Sequence, residues 1–315
     1  GNGDHKCQLA VAAEAKKWLD RKKMGHLLRF VISAGDNIYR GLDDAEGRSF
    51  QKYWIERYDD SLTCVPWYAV LGNHDHGDPL GWHGATTKRC FPIPTRENCS
   101  QLHGDLEEVR KTRACLKGRK GEKGKVDAIP DCWAMPHHSY VVTAWEEMLD
   151  LTIVATDGNY RYWFGYPFAF HPYKHHRHLM KPATEESVEI LKKQVARTDL
   201  PKNLLIFNHY PWKGKRRSGV TSKVYESVVS DLGKSGKTNV YFFAGHDHKT
   251  DKIKPAPDKR PVKYYVAGGA GGMCDSECAD GHGGVIFAMV KTDGTILLER
   301  APAYGTHLPD CHHDR

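Results

Sequence analysis

Four short apolar runs in this chain each stop abruptly at a turn crowded with polar side chains. RFVISA (29–34) runs into Gly35-Asp36-Asn37-Ile38-Tyr39, and PWYAVL (66–71) into Gly72-Asn73-His74-Asp75-His76. NLLIF (203–207) runs into Asn208-His209-Tyr210-Pro211-Trp212, and NVYFFA (239–244) into Gly245-His246-Asp247-His248. A further run of this kind is LTIVAT at 151–156. Runs this short and continuously apolar are strands buried on both faces rather than helices. Helical patterns lie among them: QLAVAAEAKKWL (8–19), with Leu9, Ala12, Ala13 and Leu19 on one side, and segments near 185–197 and 222–232. Buried strands alternating with helices predict βα units around a central sheet. In such sheets ligands collect at the carboxyl ends of the strands, so the four polar turns predict one site at one edge.

Composition limits what that site serves. Apolar residues are 40% of the 315 and charged residues 27%, which excludes a disordered chain. Length alone loosely suggests two domains, but α/β enzymes often run longer as one unit. No stretch of about 20 apolar residues occurs, so no spanning helix is expected. The formal net charge of +7 suits a small anionic substrate and does not by itself imply nucleic acid. No basic groove interleaved with aromatics points to nucleic acid either.

Nine cysteines stand at 7, 64, 90, 99, 115, 132, 274, 278 and 311, in spacings that match no zinc ribbon or finger. Their clustering favours an oxidising compartment in which loops are cross-linked, against the alternative of free buried thiols. The chain opens Gly1-Asn2-Gly3-Asp4 without a basic or apolar leader, so a leader is expected to have been removed or never present. Residues 77–131 form a Cys-rich basic insertion. Its KGRKGEKGK run (117–125) reads as a solvated loop, with an acidic partner as the alternative. His312 and His313 near the end of the chain read as surface decoration.

The polar turns offer carboxylate, imidazole, amide and phenolate donors, the set that iron, manganese and zinc accept. An Asp bridges two ions through its two oxygens. His246 and His248, two apart in an extended loop, face the same side and can reach different ions. Asn73 completes a site without adding charge. Glycines just before Asp36, Asn73 and His246 suit turns where backbone must approach closely. Singly, GD at a strand end is a turn and His209 a core histidine. Together, in the order Asp, Asn-His, His, His-x-His after four apolar runs, they predict a metal site.

This ordered set resembles the calcineurin-like metallophosphoesterases. The tyrosine in GDNIY, GNHDH after PWYAVLG, and HYPW make the chain similar to the purple acid phosphatases, particularly the small tartrate-resistant type. The GGAGG at 268–272 and a final strand pair at 284–290 and 295–302 fit as well. The resemblance implies an α/β (α+β, four-layer) fold: a metallophosphoesterase β-sandwich of two mixed sheets flanked by helices, as a single domain over 1–315. It implies a two-metal site holding Fe(III) plus Fe(II), Zn or Mn. Asp36 would bridge the ions. Tyr39 and His248 would bind the ferric ion. Asn73, His209 and His246 would bind the divalent one. His74 would protonate the leaving alkoxide, and Asp75 would orient its ring. The implied activity is acid phosphatase action on phosphate monoesters by metal-activated hydroxide, in a secreted or lumenal, lysosome-like compartment.

Three departures from the family pattern stand out. The insertion is longer than the small type carries, and is placed straight after GNHDH, where it would cap the site. The family's first strand and its GDxG-turn Asp, a ferric ligand, are not found before the 8–19 helix, where Asp4 is an imperfect substitute. Asn208 stands before His209 where the family commonly has Gly. The alternative is therefore a degenerate phosphatase serving as a structural or partner-binding subunit, with a protein partner contacting 77–131. A nuclease or phosphodiesterase on the same fold is a third option.

Overall fold

The apolar runs become strands at the places their sequence predicts. A computed structural model describes residues 6–38, 51–72, 75, 132–159, 177–211, 223–252, 262–270 and 283–303. Helix α1 (Lys6–Lys22) precedes β1 (Val31–Ser33), β2 (Trp67–Ala69), β3 (Trp133–Ala134), β4 (Tyr140–Val142) and β5 (Leu151–Thr156). Helix α2 (Arg177–Ala196), β6 (Asn203–Asn208), helix α3 (Lys223–Lys234) and β7 (Asn239–Ala244) follow. The remaining strands are β8 (Thr250–Lys252), β9 (Val262–Ala267), β10 (Gly284–Val290) and β11 (Ile296–Pro302). Asp4 and the 77–131 insertion lie outside the described residues, as do Tyr39, Asn73 and His74.

A mixed six-stranded sheet runs β4-β5-β6-β7-β9-β8, with β5, β6, β7 and β9 parallel and the two edge strands antiparallel. β5, β6 and β7 are buried on both faces, and the alternation along the sheet's strands splits the apolar residues cleanly. Ile153, Ala155, Leu205, Phe207, Tyr241, Phe243 and Tyr265 point into one core. Val154, Leu204, Ile206, Val240, Phe242, Tyr264 and Val266 point into another, beneath Leu191 of α2 and Val228, Val229 and Leu232 of α3. This period-two division is why the runs read as continuous rather than alternating.

Opposite the first core lie two further groups: a parallel trio β1-β2-β3 and an antiparallel pair β10-β11. Ile286, Val290, Ile296 and Leu298 of the pair face that core. Val285, Phe287, Met289 and Ala301 turn the other way, under Ala15, Trp18 and Leu19 of α1. Trp18 stacks on Phe287 at 3.8 Å and donates its indole N–H to Glu299. The layers are thus helix, strands, sheet and helices, a mixed α/β fold.

The face that α1 buries differs from the expected one. Cys7, Val11, Ala12, Ala15, Trp18 and Leu19 are buried, whereas Leu9 is 40% exposed and Ala13 is exposed. Leu9 lies two residues before Val11, about 200° round the helix, on the far side from the row Cys7, Val11, Ala15 and Trp18. Alanines on both sides blurred the pattern; Trp18 and its stacking partner in β10 decide it. Cys7 and Cys64 are each disulfide-bonded, and the buried Cys132 thiol donates to the Thr63 carbonyl oxygen at 3.0 Å. Among the described residues no helix is long and apolar enough to cross a membrane.

Candidate metal centre

Parallel pairing brings the polar turns level. Thr156 registers with Asn208, and Asn208 with Ala244, so the residues after β5, β6 and β7 share one sheet edge. β1 and β2 end together on the facing group, with Ser33 opposite Ala69. The two edges are joined at His209. Its Nδ1 lies 2.8 Å from the Ala34 carbonyl oxygen, which only accepts, so Nδ1 carries the proton. Nε2 then turns its lone pair to the space shared with Asp36 Oδ2, at 3.4 Å, and His246 Nδ1, at 3.3 Å. That is the tautomer a metal ligand needs, fixed by a backbone partner behind it.

Asp36, His209 and His246 each offer a donor atom within 4.8 Å of the others. His209 is 1% exposed. Burial alone would lower the pKa of its ring, but the Asp36 carboxylate, with smaller help from Ala34 and Asp75, raises it overall. A carboxylate and two imidazoles gathered beneath a protein edge suit a borderline divalent ion. His248 sits in the same loop as His246 but outside this converging trio.

Backbone strain collects here. Of the four non-glycine residues with positive φ among the described residues, two are Asp36 (φ 55°) and His246 (φ 61°), both donors of the trio. Left-handed backbone at a side chain-bearing residue costs energy and persists only where its surroundings enforce it. At Asp36 the enforcing group is Asp75. Its carboxylate, 3% exposed, accepts from the backbone N–H of Gly72 (2.7 Å), Ile38 (2.9 Å) and Asn37 (3.1 Å), and from the Asn37 side-chain amide (3.2 Å). Asn37 also donates to the Val70 carbonyl. Asp75 therefore ties the turn after β1 to the turn after β2. The expectation that it orients the His74 ring concerns a residue outside the described set; what the geometry displays is a clamp on backbone.

Gly72 completes this packing. A Cβ built there would overlap Asp36 at both its backbone nitrogen and Oδ1. Gly72→Ala is expected to push Asp36 out of the trio, to lower stability by about 2 kcal/mol and to weaken Mn²⁺ binding at least tenfold. Thermal unfolding of the metal-free protein and calorimetric Mn²⁺ titration read the two effects separately. Unchanged Mn²⁺ affinity would count against this packing role.

Sequence reasoning missed a second layer of polar residues. Asn208, noted only as a departure, accepts the Tyr210 N–H (3.0 Å) and donates to Thr156 Oγ1 (3.2 Å). Asn159 donates from its side chain to the Leu71 carbonyl (2.9 Å) and accepts from the Tyr210 hydroxyl (2.9 Å). The backbone N–H of Asn159 donates to Asp157, which also faces His138 at 3.3 Å. The available signal was the LTIVAT strand itself, which, like the others, ends in polar residues: Asp157-Gly158-Asn159.

A converging carboxylate–imidazole trio at the carboxyl ends of strands from two packed groups can hold a divalent ion. The sequence model of the calcineurin-like phosphoesterase family matches residues 10–250, and the chain belongs to that family. It is similar to tartrate-resistant acid phosphatase type 5 of Mus musculus, at 26% identity over 78% of this chain and 62% of that protein. A 49-residue segment is 45% identical to the Homo sapiens protein of the same name, covering 15% of each chain. Purple acid phosphatase 17 of Arabidopsis thaliana is 22% identical over 76% of this chain and 58% of its own length. The chain thus spans less than two thirds of the curated relatives it matches. Among solved structures, a protein described as "GAP50 the anchor in the inner membrane complex of Plasmodium" superposes with a TM-score of 0.48 at 14% identity. That superposition covers 96% of this chain and 86% of that one.

Proposed function

We propose that this chain is a dinuclear-metal acid phosphatase acting on phosphate monoesters. The observation that carries the reading is the Asp36–His209–His246 trio, with the His209 tautomer held by Ala34. These are three of the residues assigned to the bridge and the divalent site. Their donor chemistry fits Fe(II), Zn or Mn. Asn73 would complete that site, with Tyr39 and His248 beside Asp36 for Fe(III).

When bound, two such ions clamp phosphoryl oxygens and lower the pKa of water. The chain supplies the rest. Asp36, held in its strained conformation by Asp75, presents its carboxylate without reorganising. Donation of Nδ1–H to Ala34 leaves Nε2 as the bare nitrogen of the neutral His209 ring. His74, next to Asp75 in the sequence, would deliver the proton to the departing alkoxide. Net positive charge raises the local concentration of the anionic ester. The disulfide-bonded Cys7 and Cys64 support a secreted or lumenal setting.

The test is metal content and the visible spectrum of protein from its natural source, followed by p-nitrophenyl phosphate hydrolysis at acidic pH. About two ions per chain including iron, a phenolate charge-transfer band, and turnover lost on chelation and regained on reloading are expected. Metal-loaded protein without turnover would overturn the enzyme reading and favour the scaffold alternative, with residues 77–131 as the segment to probe for a partner.

A further inference from the structure

One side chain that links several of the strand ends is not among the metal donors. Tyr210 is fully buried. Its ring packs against His209 at 4.8 Å and 76°, and against His246 at 5.0 Å and 53°. The two imidazoles also meet at 5.1 Å and 78°, so the three rings form a closed triangle. Its hydroxyl reaches away from the triangle to Asn159, whose amide grips the Leu71 carbonyl just ahead of Gly72. The backbone N–H of Tyr210 is held by Asn208, which reaches Thr156. One residue therefore touches or is tethered to the ends of β2, β5, β6 and β7.

We infer that Tyr210 is a positioning residue that sets the mutual orientation of His209 and His246, and hence the affinity of the site for a divalent ion. This rests on the reading of Asp36, His209 and His246 as metal donors. Two imidazoles delivered by different strands must each aim a nitrogen at one point. His209 has the Ala34 carbonyl to set its angle. His246 sits on strained backbone, and the Tyr210 ring supplies a wall against it. The hydroxyl bond to Asn159 fixes where that wall stands. Without it the ring can slide along its own plane, and the buried Asn159 oxygen loses a donor. Groups behind metal ligands typically alter affinity ten- to a hundredfold.

The test uses Mn²⁺ alone on the full chain freed of metal. Tyr210→Phe removes only the hydroxyl, and Tyr210→Leu removes the ring. Tyr241→Phe serves as a control: it removes another hydroxyl, one that Lys263 donates to, on a strand several residues before the site. Mn²⁺ affinity should fall about tenfold in Tyr210→Phe and further in Tyr210→Leu, and stay within about twofold in Tyr241→Phe. Metal-free melting temperatures of Tyr210→Phe and Tyr241→Phe should drop by similar amounts. Should Tyr210→Leu fail to fold, the comparison of the two Phe variants decides. Equal Mn²⁺ affinity in those two variants overturns the positioning role and leaves the metal site standing. Failure of the unmodified protein to bind Mn²⁺ overturns both.

Discussion

Replacing Asp75 with alanine is expected to cost about 3–5 kcal/mol of stability and to abolish Mn²⁺ binding, although Asp75 is not in the donor trio. The carboxylate accepts from three backbone N–H groups and one side-chain amide while 3% exposed. Leaving a buried donor without an acceptor costs about 1–3 kcal/mol, and water entering the space left by the side chain offsets part of the sum. The loss has a local consequence as well. Asp36 sits at φ 55°, and the clamp on Asn37 and Ile38 immediately after it is what holds the turn there. Urea unfolding of the metal-free protein gives the first quantity, and Mn²⁺ titration of the folded fraction gives the second. Asp75→Asn, which keeps one oxygen, should be intermediate in both. An unchanged urea midpoint in Asp75→Ala would remove the clamp from the account.

His209→Ala should separate the two effects, with a smaller cost in stability and a large one in activity. The ring is buried and bonded to Ala34, so its removal leaves one carbonyl short of a donor and a small cavity, together about 2–3 kcal/mol. The fold should survive, because β6 is held on both sides by six-residue registers with β5 and β7. Phosphate-ester hydrolysis should fall by on the order of 10³-fold or more, the equivalent of the several kcal/mol that a bound ion supplies to the transition state. Circular dichroism and turnover with excess divalent ion check the two halves. Activity near that of the unmodified protein would move the catalytic site elsewhere.

Much of the site was legible because its residues follow strands that are unmistakable. LTIVAT and NVYFFA occupy β5 and β7 residue for residue, since β-branched and aromatic runs of six have no competing helical period. The four polar turns were legible for the same reason, as each begins where an apolar run ends. Strands β3, β4, β8 and β9 were not singled out. Trp133–Ala134 is two residues long, and Val262–Ala267 is interrupted by Lys263, whose ammonium reaches the Tyr241 hydroxyl on the neighbouring strand. Neither carries a signal without its neighbour. The buried face of α1 was likewise hidden, because alanines lie all round that helix and only the docking of Trp18 on Phe287 distinguishes them.

From the sequence alone came the residue types and their order: Asp36, then Asn73 and His74, then His209, then His246 and His248, each after an apolar run. That order is set by local chemistry, since apolar runs pleat and polar turns terminate them. Only the tertiary structure decided which of these atoms meet. Parallel pairing sets the ends of β5, β6 and β7 level, and the packing of β1 and β2 against them closes Asp36 onto His209 and His246. It also gave Asp75, Tyr210 and Asn159 their places. Hydrogen bonds and ring contacts between residues 36 to 88 positions apart leave no periodic trace in a chain, because they exist only once distant strands have been brought to the same edge.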